Sequence, residues 1–407
     1  MPDKSFAYLV PQFPGQTHIF FWREISALQA RGVHPVLYST TPPPTGLISH
    51  RWSEEAMQRT TYLATRNAAL LLAILPRLPW AAIMSEARSL PRPEARTFLR
   101  DVVISAPAAE RLARDCAARG ITHVHAHSCG RAALIAALSH HARGLSYSLT
   151  LHGHLSDYGT GQRFKWRHAS FVSVITKALI DLLPCQLGDA LPARLPLQPM
   201  GVDTDAFRRD TPYVPAKPGQ ALRLFSCGRL NLVKGHQDLM KAVRLMLDRG
   251  QAVTLDIAGE DDAGGSGYRA VLQARIAELG LQRHVRLLGA ISAEAVRSNL
   301  LEAHAFVLAS WSEPLGVAYM EAMSCEVPTV GTAAGGVPEL ITDKENGLLV
   351  PPQNPEALAD ALMQLAGNPA LAQRLAQAGR ARVVKDFESG RGADMLIREI
   401  WSDGVAG

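Results

Sequence analysis

The sequence predicts an α/β protein made of two doubly wound domains, each a parallel sheet with helices on both faces. Three observations carry this. Short apolar runs that read as buried parallel strands alternate with stretches of helical periodicity. Turn signals close these units in a regular rhythm, as in Gly335-Gly336-Val337-Pro338-Glu339 and Gly347-Leu348-Leu349-Val350-Pro351. The chain has 407 residues, long for one core, so two domains of roughly 200 residues each are expected. The boundaries are drawn at 1–207 and 208–384, followed by an amphipathic helix over about 385–407.

Composition narrows the class. Hydrophobic residues make up 47% and charged ones 19%, which fits neither a disordered chain nor a polytopic membrane protein. A formal charge of +5 and a pI near 9.0 favour an anionic ligand or surface. No Lys/Arg run is dense enough to track nucleic acid. The five cysteines (Cys116, Cys129, Cys185, Cys227, Cys325) form no CxxC pair and no zinc spacing, as expected of reduced thiols. Only six residues, Ser5 to Val10, separate Lys4 from Pro11. That is too short for a signal h-region, and a cytoplasmic protein is expected.

Taken in order, Phe6–Val10 reads as a buried strand and Pro11–Thr17 as the turn after it, with Thr17 placed to cap a helix over about 18–31. Gly32 ends that helix and a strand follows over 33–38. The turn lacks a GxGxxG fingerprint, so a plain connection and an anion-facing loop both stay open. Residues 67–84 are mostly apolar, but Pro76, Arg77 and Pro79 interrupt them, which argues against a membrane-spanning helix. Arg59, Arg66, Arg88, Arg92, Arg96 and Arg100 surround the run and Trp80 lies inside it. A segment resting on an anionic membrane and a helical hairpin covering the first sheet fit equally.

His123, His125 and His127 alternate along a strand at 121–127 and so share one face. No neighbouring carboxylate or HxxxH completes a metal set. His127, at the strand end, is expected to line a cleft. The strand 146–151 runs into His152-Gly153, where a histidine at a strand mouth is well placed to contact a reacting centre, with a purely structural role for a lone histidine also open. After a strand at 171–175, Gly201-Val202-Asp203 leads towards a linker at 212–218.

The second domain opens with a strand at 222–227, then Gly228-Arg229 and Lys234-Gly235 before a helix to Arg249. Arg229 supplies a fork and Lys234 a point charge, and the two can converge on one diphosphate. Both are expected at a cleft, so folding should survive the loss of either. Strands at 254–258 and 285–288 follow, the latter turning at Gly289 towards a helix capped by Ser292. The apolar run ending at Phe306-Val307-Leu308 is the next strand. Pro314 suits a first helical turn, which would put Glu313 and Glu321, eight apart, on one face beside the amides of Leu315, Gly316 and Val317. Two carboxylates beside an anion site suit a sugar nucleotide.

Together, Gly228-Arg229, Lys234-Gly235, Glu313 with Glu321, Gly335–Glu339, Gly347–Val350, His152-Gly153 and Gly201-Val202-Asp203 resemble the family 4 retaining glycosyltransferases. The order of the motifs matches over nearly the whole chain. The first loop, Phe13–Ile19, lacks the paired glycines of many members and is closer to the bacterial exopolysaccharide and glycolipid branch. The resemblance implies the GT-B fold: two Rossmann-like domains facing a central cleft, the C-terminal helix crossing back to the first.

It also implies a nucleoside-diphosphate sugar donor, UDP-sugar before GDP-sugar, a saccharide or lipid-linked acceptor, and no essential metal. Residue by residue, Arg229 and Lys234 resemble the cations on the donor diphosphate, and Glu321 the ribose carboxylate. Glu313 and His152 resemble the groups at the transferred sugar. Gly15, in the acceptor-side loop of that family, and Gly289 are counted with the donor-binding residues, as are Leu315, Gly316 and Val317. No carboxylate of the first domain stands out as a nucleophile, so front-face transfer with retention is the implied route. The alternatives are a sugar-nucleotide epimerase of the same fold and a catalytically silent sugar-nucleotide-binding scaffold in a polysaccharide assembly complex.

Overall fold

In a computed structural model, twelve parallel strands among the described residues (5–15, 19–43, 52–217, 219–261 and 267–401) form two six-stranded sheets. One unit comprises Met1–Pro199 with Gly390–Gly407, the other Met200–Ser389. This is the doubly wound α/β fold that the sequence predicts.

In the first unit the strands are β1 (Ala7–Gln12), β2 (Val36–Thr41), β3 (Thr60–Tyr62), β4 (His123–His127), β5 (Ser146–Leu151) and β6 (Val172–Val174), ordered β3-β2-β1-β4-β5-β6. The central strands are mostly buried, β4 throughout although His123, His125 and His127 make it polar. The predicted strand at 33–38 begins later, at Val36, because Val33 first closes the preceding helix by donating to the Leu28 carbonyl at 3.0 Å.

The interrupted apolar run is a bent pair: Ala68–Ile74 continues through a short turn at Leu75–Arg77, and Trp80–Ser89 leaves that arm at 87° after a break at 78–79. Both pack on the long helix Arg92–Ala118, with Ile74, Leu78 and Ile83 buried and Leu72, Trp80 and Met84 exposed. Among the described residues no single helix is long and apolar enough to cross a membrane.

The last helix begins at Gly390, later than expected, and is described to Trp401. Residues 369–386 form a separate helix in the second unit, and Phe387–Ser389 breaks the run. The final helix lies against Ile19–Ala30 within the first unit. Asp394 takes two hydrogen bonds from Arg31, at 2.6 and 3.0 Å, and Trp401 packs edge-on against Phe6.

The second unit contains β7 (Leu222–Cys227), β8 (Val253–Ala258), β9 (Val285–Gly289), β10 (Ala305–Val307), β11 (Thr329–Thr332) and β12 (Leu348–Val350), ordered β12-β11-β10-β7-β8-β9. Ser292 caps its helix as predicted, accepting from the Ala295 amide at 3.2 Å. The expected linker has no regular structure over 212–217 and is anchored by Tyr213 and Ala216, while Val214 is exposed. Tyr213 is buried, and its hydroxyl donates to the His304 carbonyl at 2.6 Å.

Candidate active site

In an open parallel sheet, the loops leaving the two strands at the reversal of strand order diverge and leave a crevice at their carboxyl ends. In the second unit that point falls between β7 and β10, so the flanking loops are Gly228–Gly235 and Leu308–Gly316. Close backbone approaches hold both in place. Gly235 has φ +66°, and a Cβ there would sit 1.9 Å from the Ala309 carbonyl oxygen. Gly335, at φ +60°, approaches Glu313 similarly, and the Gly336 amide donates to the Glu313 carbonyl at 3.0 Å. Only glycine permits such contacts.

Their consequence is a buried ion pair. Lys234 Nζ donates to Glu313 Oε2, and Ser310 Oγ donates to the same oxygen at 3.2 Å. The two charged side chains are 16% and 8% exposed. Asn231 orders the lysine's turn by accepting from the Lys234 amide at 3.2 Å. Trp311 braces the two loops, donating from its backbone to Val233 at 2.7 Å and from Nε1 to Asp238 at 2.6 Å. Arg229 is exposed on the same loop. Its carbonyl accepts from His236 Nε2 at 3.2 Å, and burial pushes that imidazole down to about 4, so it is neutral near pH 7 and its tautomer is set by this bond.

One expectation is corrected here. The helix after β10 does not begin at Pro314 but runs Val317–Ser324, with Gly316 at φ +94° as its cap. Glu313 therefore lies in the loop and only Glu321 is helical, so the two carboxylates do not share a helix face. Of the three expected amides, Val317 alone belongs to the first turn. The cause is Tyr319, whose hydroxyl donates to the Leu308 carbonyl at 3.0 Å. Its ring fills the space where a Gly316 Cβ would be, 2.4 Å away, so residues 314–316 bend around it.

Glu321 is buried. Burial, with Glu321 nearby, pushes the Cys227 thiol at the end of β7 up to about 12. Gly289 ends β9 at φ +76°, facing Glu260 and Arg269, which pair at 2.9 Å. Glu260, Arg269, Ser310 and Trp311 carry no motif signal and were not legible as site residues.

In the first unit the strand order reverses between β1 and β4. Gly15 is buried just after β1, while Gln16, Thr17 and His18, including the expected Thr17 cap, lie outside the described residues. The three histidines of β4 share a face as their alternation predicts, and each is buried. They stand in register with Ser146, Ser148 and Thr150 of β5. His123 bonds Ser146 at 3.0 Å and Ser148 at 2.8 Å, and His125 bonds Ser148 at 2.8 Å and Thr150 at 2.9 Å. Burial pushes His123 down to about 4 and His127 to about 3, so these rings are neutral polar core. Among the described residues no group of three or more His, Cys, Asp or Glu side chains could hold a metal ion. His127 turns to the strand ends, its Nδ1 3.1 Å from His152 Nε2.

Residues 208–382 match the family model for glycosyl transferases group 1. The similarity to that family lies in this stretch, a little under half of the chain. The stretch contains Arg229, Lys234, Gly289, Glu313, Glu321 and the glycines that hold their loops. The chain is 31% identical over 186 residues to a D-inositol 3-phosphate glycosyltransferase of Corynebacterium jeikeium, 44% of each chain. It is 27% identical over 289 residues to the alpha-D-kanosaminyltransferase of Streptomyces kanamyceticus, 66% of this chain and 73% of that one. The match thus spans less than half the length of the inositol-phosphate relative. The crystal structure of Anabaena HepE in complex with UDP superposes with a TM-score of 0.74 at 16% identity, covering 98% of this chain and 100% of that one. Such similarity extends the fold of the glycosyltransferase structures to both units.

Proposed function

We propose that the chain is a retaining hexosyltransferase that takes a nucleoside-diphosphate sugar, a UDP-sugar first and a GDP-sugar second, and a saccharide or lipid-linked acceptor in polysaccharide or glycolipid synthesis. The observation that carries this is the Lys234–Glu313 pair at the strand-order reversal of the second unit, inside the stretch that matches the family model. A cation held beside a carboxylate at the mouth of a parallel sheet meets a sugar diphosphate with both charges it needs. Arg229 and Lys234 neutralise the diphosphate as the bond from the anomeric carbon to the phosphate oxygen breaks, and preorganised charge acts there without reorganisation. Two fixed cations make a metal unnecessary for that step. Glu321 accepts from the ribose, Glu313 from the transferred sugar, and His152 serves as a substrate contact. The new bond runs from the anomeric carbon to an acceptor hydroxyl on the face the phosphate leaves, which retains configuration.

The same reading places the protein in the cytoplasm, resting on the inner face of a membrane. Support comes from exposed Leu72, Trp80 and Met84 on the bent helix pair, with exposed Arg77, Arg88, Arg92 and Arg96 around them. The test is a thermal-shift panel of UDP-, GDP- and ADP-sugars, then an acceptor screen with the product anomer read by NMR. Stabilisation by one nucleotide class and a retained anomer are expected. No stabilisation by any donor, or an inverted product, overturns the reading.

A further inference from the structure

Behind His152 lies a line of polar groups that the proposed chemistry has not used. His152 Nε2 is 3.1 Å from His127 Nδ1, and the far nitrogen of that ring, Nε2, is 3.1 Å from Glu24 Oε2. The second pair is in reach without being aligned as a hydrogen bond, a common state of proton-transfer groups before substrate binds. The Tyr8 hydroxyl donates to the same Glu24 oxygen at 2.7 Å. Rings pack along the line, with His127 buried and Glu24 19% exposed. Tyr8 and Phe21 lie 4.5 and 4.8 Å from the His127 ring, and Phe20 lies 5.5 Å from His152. Gly392 of the final helix presses on Glu24 so closely that a Cβ there would be 2.6 Å from Oε1.

We propose that Glu24 and His127 are positioning residues for His152, forming a carboxylate–imidazole–imidazole relay that fixes its tautomer and carries a proton away from it. The role given to His152 rests on the proposed function; the relay itself stands on the geometry. A neutral imidazole has one N–H and one lone pair, so the chain has two hydrogen-bonded arrangements. With Glu24 ionised, the carboxylate accepts from Tyr8 O–H and His127 Nε2–H. His127 Nδ1 then accepts from His152 Nε2–H, and the His152 lone pair is on Nδ1.

When a proton arrives at His152 Nδ1, the Nε2 proton passes to His127 Nδ1 and the His127 Nε2 proton passes to Glu24. One proton is gained, only N–H and O–H bonds change, and the interior is left with a neutral acid and no imidazolium. Burial favours that end state, since it raises the Glu24 carboxyl and depresses the His127 imidazole. Glycosyl transfer to a hydroxyl releases one proton, which this chain can take up. The titratable groups facing the relay are Tyr8 from β1, Glu24 from the helix Ile19–Ala30, His125 and His127 from β4, and His152 itself.

The experiment is nitrogen-15 NMR of the histidine rings in the full chain across pH, in wild type, Glu24→Gln and His127→Gln. In wild type both His127 and His152 should be Nε2–H tautomers at pH 8 and switch together to Nδ1–H in one acidic transition. Glu24→Gln should abolish that transition with the fold intact. In steady-state transfer each variant should lower kcat by about 10²-fold, the low end for positioned proton transfer, with KM unchanged and the acid limb of the profile lost. Independent titration of the two rings, or a tautomer pattern and pH response unchanged in Glu24→Gln, overturns the relay. If wild type turns over no nucleotide sugar, the functional reading fails while the NMR result still decides the relay.

Discussion

Replacing Lys234 by Met removes a charge that the proposed reaction needs and also strands Glu313. The sequence treats Lys234 and Arg229 alike, as cleft cations that folding can do without. The structure separates them, because Arg229 is exposed whereas Lys234 is held at 16% exposure against a carboxylate at 8%. In Lys234→Met that carboxylate keeps Ser310 Oγ at 3.2 Å and loses its cation. Removing one partner of a buried pair costs about 3–5 kcal/mol. Residual exposure of both groups argues for the lower end, about 3 kcal/mol, equivalent to a fall in Tm of roughly 6–12 °C for a unit of this size.

The double variant Lys234→Met/Glu313→Gln removes both charges, and a nearly isosteric neutral pair should recover most of that loss. Urea unfolding of wild type, both single variants and the double gives the coupling energy directly. Transfer should be at least about 10²-fold down in the double, since Arg229 alone remains for the leaving group and Glu313 no longer contacts the sugar as a carboxylate. Wild-type stability in Lys234→Met would refute the buried-pair argument. A double variant no more stable than Lys234→Met would show that the loss comes from something other than the stranded carboxylate.

Three further outcomes are expected. Burial holds His123 and His236 at about 4 in the folded chain, against about 6.5 unfolded. The unfolded state therefore binds more protons between those values, and stability is full above about 6.5 and falls on acidification towards 4. Each ring adds about 1.4 kcal/mol per pH unit in that window; urea midpoints flat from pH 7 to 4.5 would contradict this. Glu321→Ala should raise KM with kcat nearly unchanged, whereas Glu313→Ala should lower kcat, because a ribose contact is made equally in ground and transition states. Steady-state kinetics with equal effects in both variants would remove the distinction. Liposome sedimentation should show salt-sensitive binding to anionic vesicles that is weakened by charge reversal at Arg88, Arg92 and Arg96, each arginine near the surface contributing about 1 kcal/mol. Equal partitioning to neutral and anionic vesicles would leave the bent helix pair as a cover for the helix Arg92–Ala118.

The doubly wound fold was legible because strand and helix signals are local. β5 and β7 occupy the residues that their apolar runs mark, and the alternation of His123, His125 and His127 needs only the two-residue period of a strand. The cations at Arg229 and Lys234 could likewise be read from their glycine brackets. What sequence could not give were the contacts between residues far apart in the chain. The start of the helix after β10 depends on Tyr319 filling the space beside Gly316, and the burial of Lys234 depends on Glu313, 79 residues away. Glu24 carries no motif at all. It became part of a polar chain because parallel pairing of β1, β4 and β5 sets Tyr8 opposite His125 and His127 opposite Thr150, so that His127 meets Tyr8 and the residue after β5 on the diagonal. A parallel sheet joins such residues only through long crossovers, so periodicity determined which faces are buried, and tertiary packing alone decided which polar groups meet there.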